Sequence, residues 1–158
     1  MKKLKADLKN LTLMQRGTIL LSLLLFILSL FQPAFYIDRA DYDAWANSAG
    51  LLLLGWMSVL GGSLVASVIW LANPLYIIAI FLSARGRLKG LYFSILASII
   101  AFSFSRLDEI LTSESGSYSK ITALKAGYKL WLGSMLVLTI GTVISLLTRK
   151  KVISAKRD

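Results

Sequence analysis

Four stretches of the chain, 17–36, 47–84, 90–105 and 130–148, contain no charged residue, and the charges are gathered in short blocks between them. A bilayer core ~30 Å thick is crossed by a helix of roughly 20 apolar residues, with about 17 to 25 the usual range. The pattern predicts transmembrane helices over 17–35, 65–84, 89–105 and 127–148. The expected fold class is all-α, a single polytopic membrane domain covering 1–158. The interval 47–84 decides the count of crossings, because as one helix it would rise ~55 Å, too long for one crossing and barely enough for two.

Charge chooses between the two. With a single crossing of that interval, the cytoplasmic segments hold 13 Lys and Arg and the external segments five, accompanied there by six of the eight acids. Two crossings would level the split, against the excess of Lys and Arg that cytoplasmic loops carry. Both termini are then cytoplasmic, and residues 50–62 are left over as a re-entrant or half-helix segment. Their run LLLLGWMSVLGG lacks the polar face of a helix lying flat at an interface. Gly61 and Gly62 tolerate the dihedrals of a chain reversal and would end it.

Composition agrees with this reading. Of 158 residues, 56% are hydrophobic and 16% charged, where a soluble domain keeps about 25% charged. The net charge of +10 follows from basic residues bordering apolar runs, so no nucleic-acid partner is expected, and no nucleic-acid-binding module has room. Lys2, Lys3, Lys5, Lys9 and Arg16 precede the first apolar run as in a signal peptide. That run extends to Phe35, however, and Phe35, Tyr36, Ile37 and Asp38 make a poor cleavage site, so a retained first helix is expected. Cysteine and histidine are absent. The usual ligands of zinc, haem and iron–sulfur centres are missing with them, and no cofactor or metal is expected.

Candidate chemistry is sparse. No predicted span carries Asp, Glu, Lys or Arg in its interior, which argues against a proton-coupled pump. Asn73 lies in an apolar run directly before Pro74, and proline leaves the carbonyl four residues earlier without its helical donor. On one reading Trp70, Asn73 and Pro74 form a kinked polar notch that, with Gly61 and Gly62, binds a ligand or partner. On the other, Asn73 bonds to a neighbouring helix or to the freed carbonyl. Gly90, Ser94 and Ser98 recur every fourth residue, as do Gly141 and Ser145, a spacing that lets membrane helices approach closely. Asp38, Asp41 and Asp43 in the first external loop are candidate contacts for a partner or for Lys120, Lys125 and Lys129 across the external face, without the ligand series of a calcium loop. No enzyme signature is present, and a non-enzyme is expected.

The order of segments, with GW at Gly55 and Trp56, WLANP from Trp70 to Pro74, RGR from Arg85 to Arg87 and GYKLWLGS from Gly127 to Ser134, resembles uncharacterised small bacterial inner-membrane proteins. The resemblance covers the chain from Trp45 onward. It implies the bacterial inner (plasma) membrane, with a periplasmic external side, and supplies no activity. Two functions follow as expectations. The first is a non-catalytic binding or regulatory protein, such as an immunity or exclusion protein or an accessory subunit of a membrane complex. The alternative is a small oligomeric transporter or channel for a neutral solute. Partners are the lipid bilayer and either another membrane protein or a second copy of this chain.

Overall fold

The computed structural model describes residues 13–38, 47–112 and 116–154, with side chains described as far as Thr148. Among these residues the chain is mostly helical. Helix α1 covers Leu13–Leu30 and is followed by a short strand, β1, Phe35–Ile37. Next comes a helical hairpin: α2, Ser48–Leu54, runs into a 3₁₀ turn, Gly55–Val59, and the chain reverses into α3, Leu64–Trp70. Helix α4, Ala72–Ala84, continues from α3 with only Leu71 between them. Helix α5, Lys89–Ser103, and a 3₁₀ turn, Phe104–Arg106, lead to strands β2, Glu109–Leu111, and β3, Tyr118–Leu124. Helix α6, Ala126–Ser154, closes the chain.

Three of the described helices are long and apolar enough to cross a membrane: Leu13–Leu30, with 18 residues, Leu64–Ala84, with 21, and Ala126–Thr148, with 23. The span expected at 89–105 differs. Helix α5 has 15 residues and rises ~22 Å, short of a bilayer core by itself. The half-helix expected at 50–62 is present as the shorter apolar helix Ser48–Val59. Its first turn is capped by Asn47, whose Oδ1 accepts from the Gly50 N–H at 3.0 Å.

The all-α expectation is corrected by a three-stranded antiparallel sheet, in the order β1-β3-β2. It is built from segments between the expected spans and, at Phe35, from the end of the first of them, which is helical only as far as Leu30. Strand β3 alternates along YSKITAL, with Tyr118, Lys120 and Thr122 exposed and Ser119 buried between them. Such period-two patterning fits a sheet with one covered face. Phe35, Ile37, Ile121 and Leu124 pack with Phe104, Tyr128 and Ile69, so the sheet caps one end of the bundle. Asp38 closes the edge, its N–H bonded to the Lys120 carbonyl and its Oδ1 accepting from the Lys120 N–H at 3.0 Å.

Neighbouring helices run antiparallel, as their paired residues show. Gln15 meets Ser83 while Ser22 meets Tyr76, and Ser98 meets Thr139 while Tyr128 reaches the Ala101 carbonyl. Consequently the start of α1, the 85–88 turn and the end of α6 share one end of the bundle, and the sheet lies at the other. Small residues set the helix spacing, as their interval suggested. A Cβ on Gly90 would lie 2.7 Å from the Ser83 nitrogen, and Ser94, Ala97, Ser98 and Ala101 are buried along the same face of α5. Gly141 admits Thr18 of α1 in the same way, and Ser145 is buried. These faces therefore pack within the monomer.

Candidate functional site

The region around Asn73 is built by a proline that the helix accommodates. Pro74 is the third residue of α4, and the carbonyl it deprives of a backbone donor belongs to Trp70. Asn73 supplies the replacement, its Nδ2 donating to the Trp70 oxygen at 3.0 Å. The other end of the amide is equally engaged, since Oδ1 accepts the indole N–H of Trp131 on α6 at 2.8 Å. Asn73 is 6% exposed. Of the two readings of this residue, the structure favours the joint: freed carbonyl and neighbouring helix are both bonded, and the amide presents no open polar notch.

Trp70 extends the joint toward the hairpin. Its indole N–H donates to the Leu52 carbonyl at 2.8 Å, and its ring lies over Gly55, where a Cβ would come within 2.5 Å of the indole Cδ1. Only glycine fits beneath the ring. Leu52, Gly55, Trp70, Asn73, Pro74 and Trp131 thus form one connected unit linking α2, α4 and α6.

Gly61 and Gly62 do not join it. They form the tip of the hairpin, where Gly62 takes φ +86°, and the nearest side chain to its Cα substituent position is Leu111 of β2. Trp70 is the last of the seven residues of α3, so the length of that helix, ~10 Å along the axis, separates it from this tip. The chain reversal expected of the glycine pair is found, but the convergence of all five residues in one site is not. Asp38 follows β1, at the sheet edge opposite the β2 strand that Gly62 touches. It binds backbone rather than lysine, while the Lys125 ammonium lies 4.1 Å from the centroid of the Tyr36 ring. Asp41 and Asp43 lie outside the described residues.

A second polar cluster sits between the helices at mid-length. The Ser22 hydroxyl donates to the Ser134 carbonyl at 2.7 Å and lies 2.7 Å from the Tyr76 hydroxyl. Ser22 has one proton and gives it to a carbonyl, so Tyr76 is the donor to Ser22. Tyr76 is 1% exposed, with its ring stacked on Phe26. Nearer the charged end, the Gln15 amide donates to the Ser83 carbonyl, and Ser83 approaches Thr142 at 3.4 Å. Every buried side-chain nitrogen and oxygen has a hydrogen-bond partner among the described residues. Tyr76 was legible in principle, because a phenol in the middle of an apolar run needs a partner. Trp131 carries no such signal, since nothing in the linear pattern pairs it with Asn73.

Among the described residues no three acidic, histidine or cysteine side chains gather as a metal site would require. The chain matches no family model, and neither a curated protein nor a solved structure is significantly similar to it.

Proposed function

We propose that this is a multi-pass inner-membrane protein that acts without catalysis, by binding another membrane protein through its periplasmic cap. It crosses four times, with both termini cytoplasmic. The crossing by α5 is the least regular of the four. Its 15 residues and the 3₁₀ turn Phe104–Arg106 together reach ~28 Å, close to a bilayer core. The antiparallel placement of α5 between α4 and α6 supports this, since Arg85, Arg87 and Lys89 fall at one end of the bundle and Arg106 at the other. Strongly basic segments then face the cytoplasm, as membrane topology favours.

The observation that carries the binding role is a closed interior beneath an open cap. Small residues bring the helices together, and among the described residues every buried side-chain nitrogen and oxygen is paired, which supports binding at the surface over a polar path through the monomer. An oligomeric transporter would use the Asn73 kink and the half-helix as its polar path, and within the monomer both ends of that amide are already hydrogen-bonded. The sheet, by contrast, presents Tyr118, Lys120 and Thr122 on one exposed face, with Glu109 opposite Lys120 on the next strand. An exposed tyrosine is of the aromatic kind enriched where proteins meet, and the Lys120 and Glu109 pair beside it suits the polar rim of such a contact.

Purification in mild detergent tests the proposal. A stoichiometric foreign membrane protein is expected to accompany the tagged chain and to be lost from the doubly substituted Tyr118→Ala, Lys120→Glu variant at normal abundance. A homo-oligomer that makes liposomes leaky to neutral solutes, with no foreign partner, would overturn it in favour of transport.

A further inference from the structure

The hairpin 48–70 is apolar on every outward side, although it stands beside the sheet rather than between the helices. Leu53, Leu54, Leu60 and Leu64 are between 62% and 75% exposed, and Trp56 is half exposed. Its tip reaches the height of β2, where Gly62 faces Leu111. Exposed apolar surface of this extent calls for a cover.

Its polar groups are turned inward. The serine hydroxyls of the hairpin are Ser48, Ser58, Ser63 and Ser67, and each is bonded within the protein. Ser48 donates to the Gln32 carbonyl and Ser58 to the Gly55 carbonyl. Ser58 also meets Ser67 at 2.8 Å, and Ser63 caps α3 by accepting from the Ala66 N–H. A helix lying on a membrane keeps a polar face toward water, and this hairpin has none. The Trp56 indole is different, being without a hydrogen-bond partner among the described residues. An exposed tryptophan with a free N–H is the residue that settles at the boundary between acyl chains and headgroups.

Two further observations choose the cover. The exposed stripe Leu64, Val68 and Leu71 continues down the same span as Ile78 and Phe81, all exposed. The hairpin is thus an extension of a flank that already faces lipid. Charge is also divided across this end of the molecule. The sheet side carries Asp38, Glu109, Lys120 and Lys125, whereas 47–84 carries no charge at all.

We infer that the hairpin 48–70 is an outer-leaflet insertion, a wedge whose ligand is the acyl region of the bilayer lipid along Leu53, Leu54, Leu60 and Leu64, with Trp56 at headgroup depth. The outer leaflet rises around this side of the cap, while the sheet side remains in water. The inference rests on the periplasmic placement of the cap proposed above, which labelling of Thr122→Cys tests separately, and it holds whichever protein the sheet binds.

The absence of cysteine allows a clean test with single-cysteine chains: Leu53→Cys, Leu60→Cys and Leu64→Cys, with Thr122→Cys as the water-exposed reference and Ile144→Cys as the lipid-facing one. In spheroplasts a membrane-impermeant maleimide should label the three hairpin sites at least about tenfold more slowly than Thr122→Cys, because a thiol in apolar surroundings yields little thiolate. The purified variants, labelled with an environment-sensitive fluorophore, are then placed in phosphatidylethanolamine–phosphatidylglycerol vesicles. Brominated phospholipid should quench the hairpin sites as it quenches Ile144→Cys and leave Thr122→Cys bright. Labelling at the Thr122→Cys rate would overturn the inference. So would protection without quenching, which would mean that a second copy of the chain covers the hairpin. Three sites, one on each helix of the hairpin and one in the turn between them, keep the outcome independent of any one variant's folding.

Discussion

The indole of Trp131 donates to the side-chain oxygen of Asn73 at 2.8 Å, and through this bond α6 holds the joint between α3 and α4. The same amide donates its Nδ2 to the Trp70 carbonyl that Pro74 leaves free. One residue therefore repairs a proline defect and ties it to the neighbouring helix. An apolar environment raises the stakes of both bonds, since no water is at hand to replace them.

Asn73→Leu should lower stability, because it strands two buried partners, the Trp70 carbonyl and the Trp131 N–H. Leaving buried polar groups unpaired costs about 1–3 kcal/mol each in general, and interhelical bonds in membranes contribute about 0.6–2 kcal/mol. A double-mutant cycle with Trp131→Phe, read from thermal unfolding in detergent, should give a coupling of about 1 kcal/mol. Additive effects would show that the bond does not hold the joint. Pro74→Ala should be tolerated by the fold, since alanine restores the donor to Trp70 and competes with the amide.

Tyr76→Phe should be mild. It removes one hydrogen bond, leaves Ser22 still bonded to the Ser134 carbonyl, and is expected to cost about 1 kcal/mol. Tyr76→Ala removes the ring stacked on Phe26 and should cost about 3–5 kcal/mol by analogy with other buried aromatics. Equal losses from the two substitutions, measured by chemical or thermal denaturation in detergent, would place the energy in the hydroxyl rather than the ring.

The glycines divide into two classes that substitution by alanine should separate. At Gly127 a Cβ would come within 2.5 Å of the Gln32 carbonyl oxygen, and at Gly90 within 2.7 Å of the Ser83 nitrogen, so backbone must move. Each is expected to lose about 1–3 kcal/mol by overpacking. At Gly17 and Gly133, both inside helices, nothing lies within 4 Å of that position, and alanine there should stabilise by about 0.5–1 kcal/mol. A uniform response across all four would contradict the close approach of α4 to α5 and of α6 to the end of α1.

Reporter fusions check the orientation. Fusions after Asp43 and Glu114 should be active only as periplasmic reporters, and fusions after Lys89 and Asp158 only as cytoplasmic ones. A periplasmic signal at Lys89 would overturn the four-crossing proposal, because the 85–88 turn shares its end of the bundle with the start of α1 and the end of α6.

Much of the helical plan was legible because charge and hydropathy act locally. Long uncharged runs can satisfy their backbone only as helices when lipid surrounds them, and the helices found at 13–30, 64–84 and 126–148 sit within a few residues of the expected ones. The break at Gly61 and Gly62 was legible for the same reason, since a positive φ suits glycine and little else. The sheet escaped notice because β1 and β2 have three residues each. Such strands have almost no periodicity of their own and become strands only when β3 lies between them.

The sequence by itself determined that the chain is mostly apolar helix, roughly where its long helices lie, and which small residues could line their contacts. Tertiary structure decided which helix each small face meets, that Asn73 is a joint rather than a notch, and that Ser22 and Tyr76 bond at mid-length. It also decided that the segment after α1 and the segment between α5 and α6 zip into one cap. The division has a physical cause. Helix formation in an apolar solvent answers to the residues of one segment, whereas the worth of a buried amide, phenol or indole depends on a partner supplied from far along the chain, 58 residues away for Asn73 and Trp131.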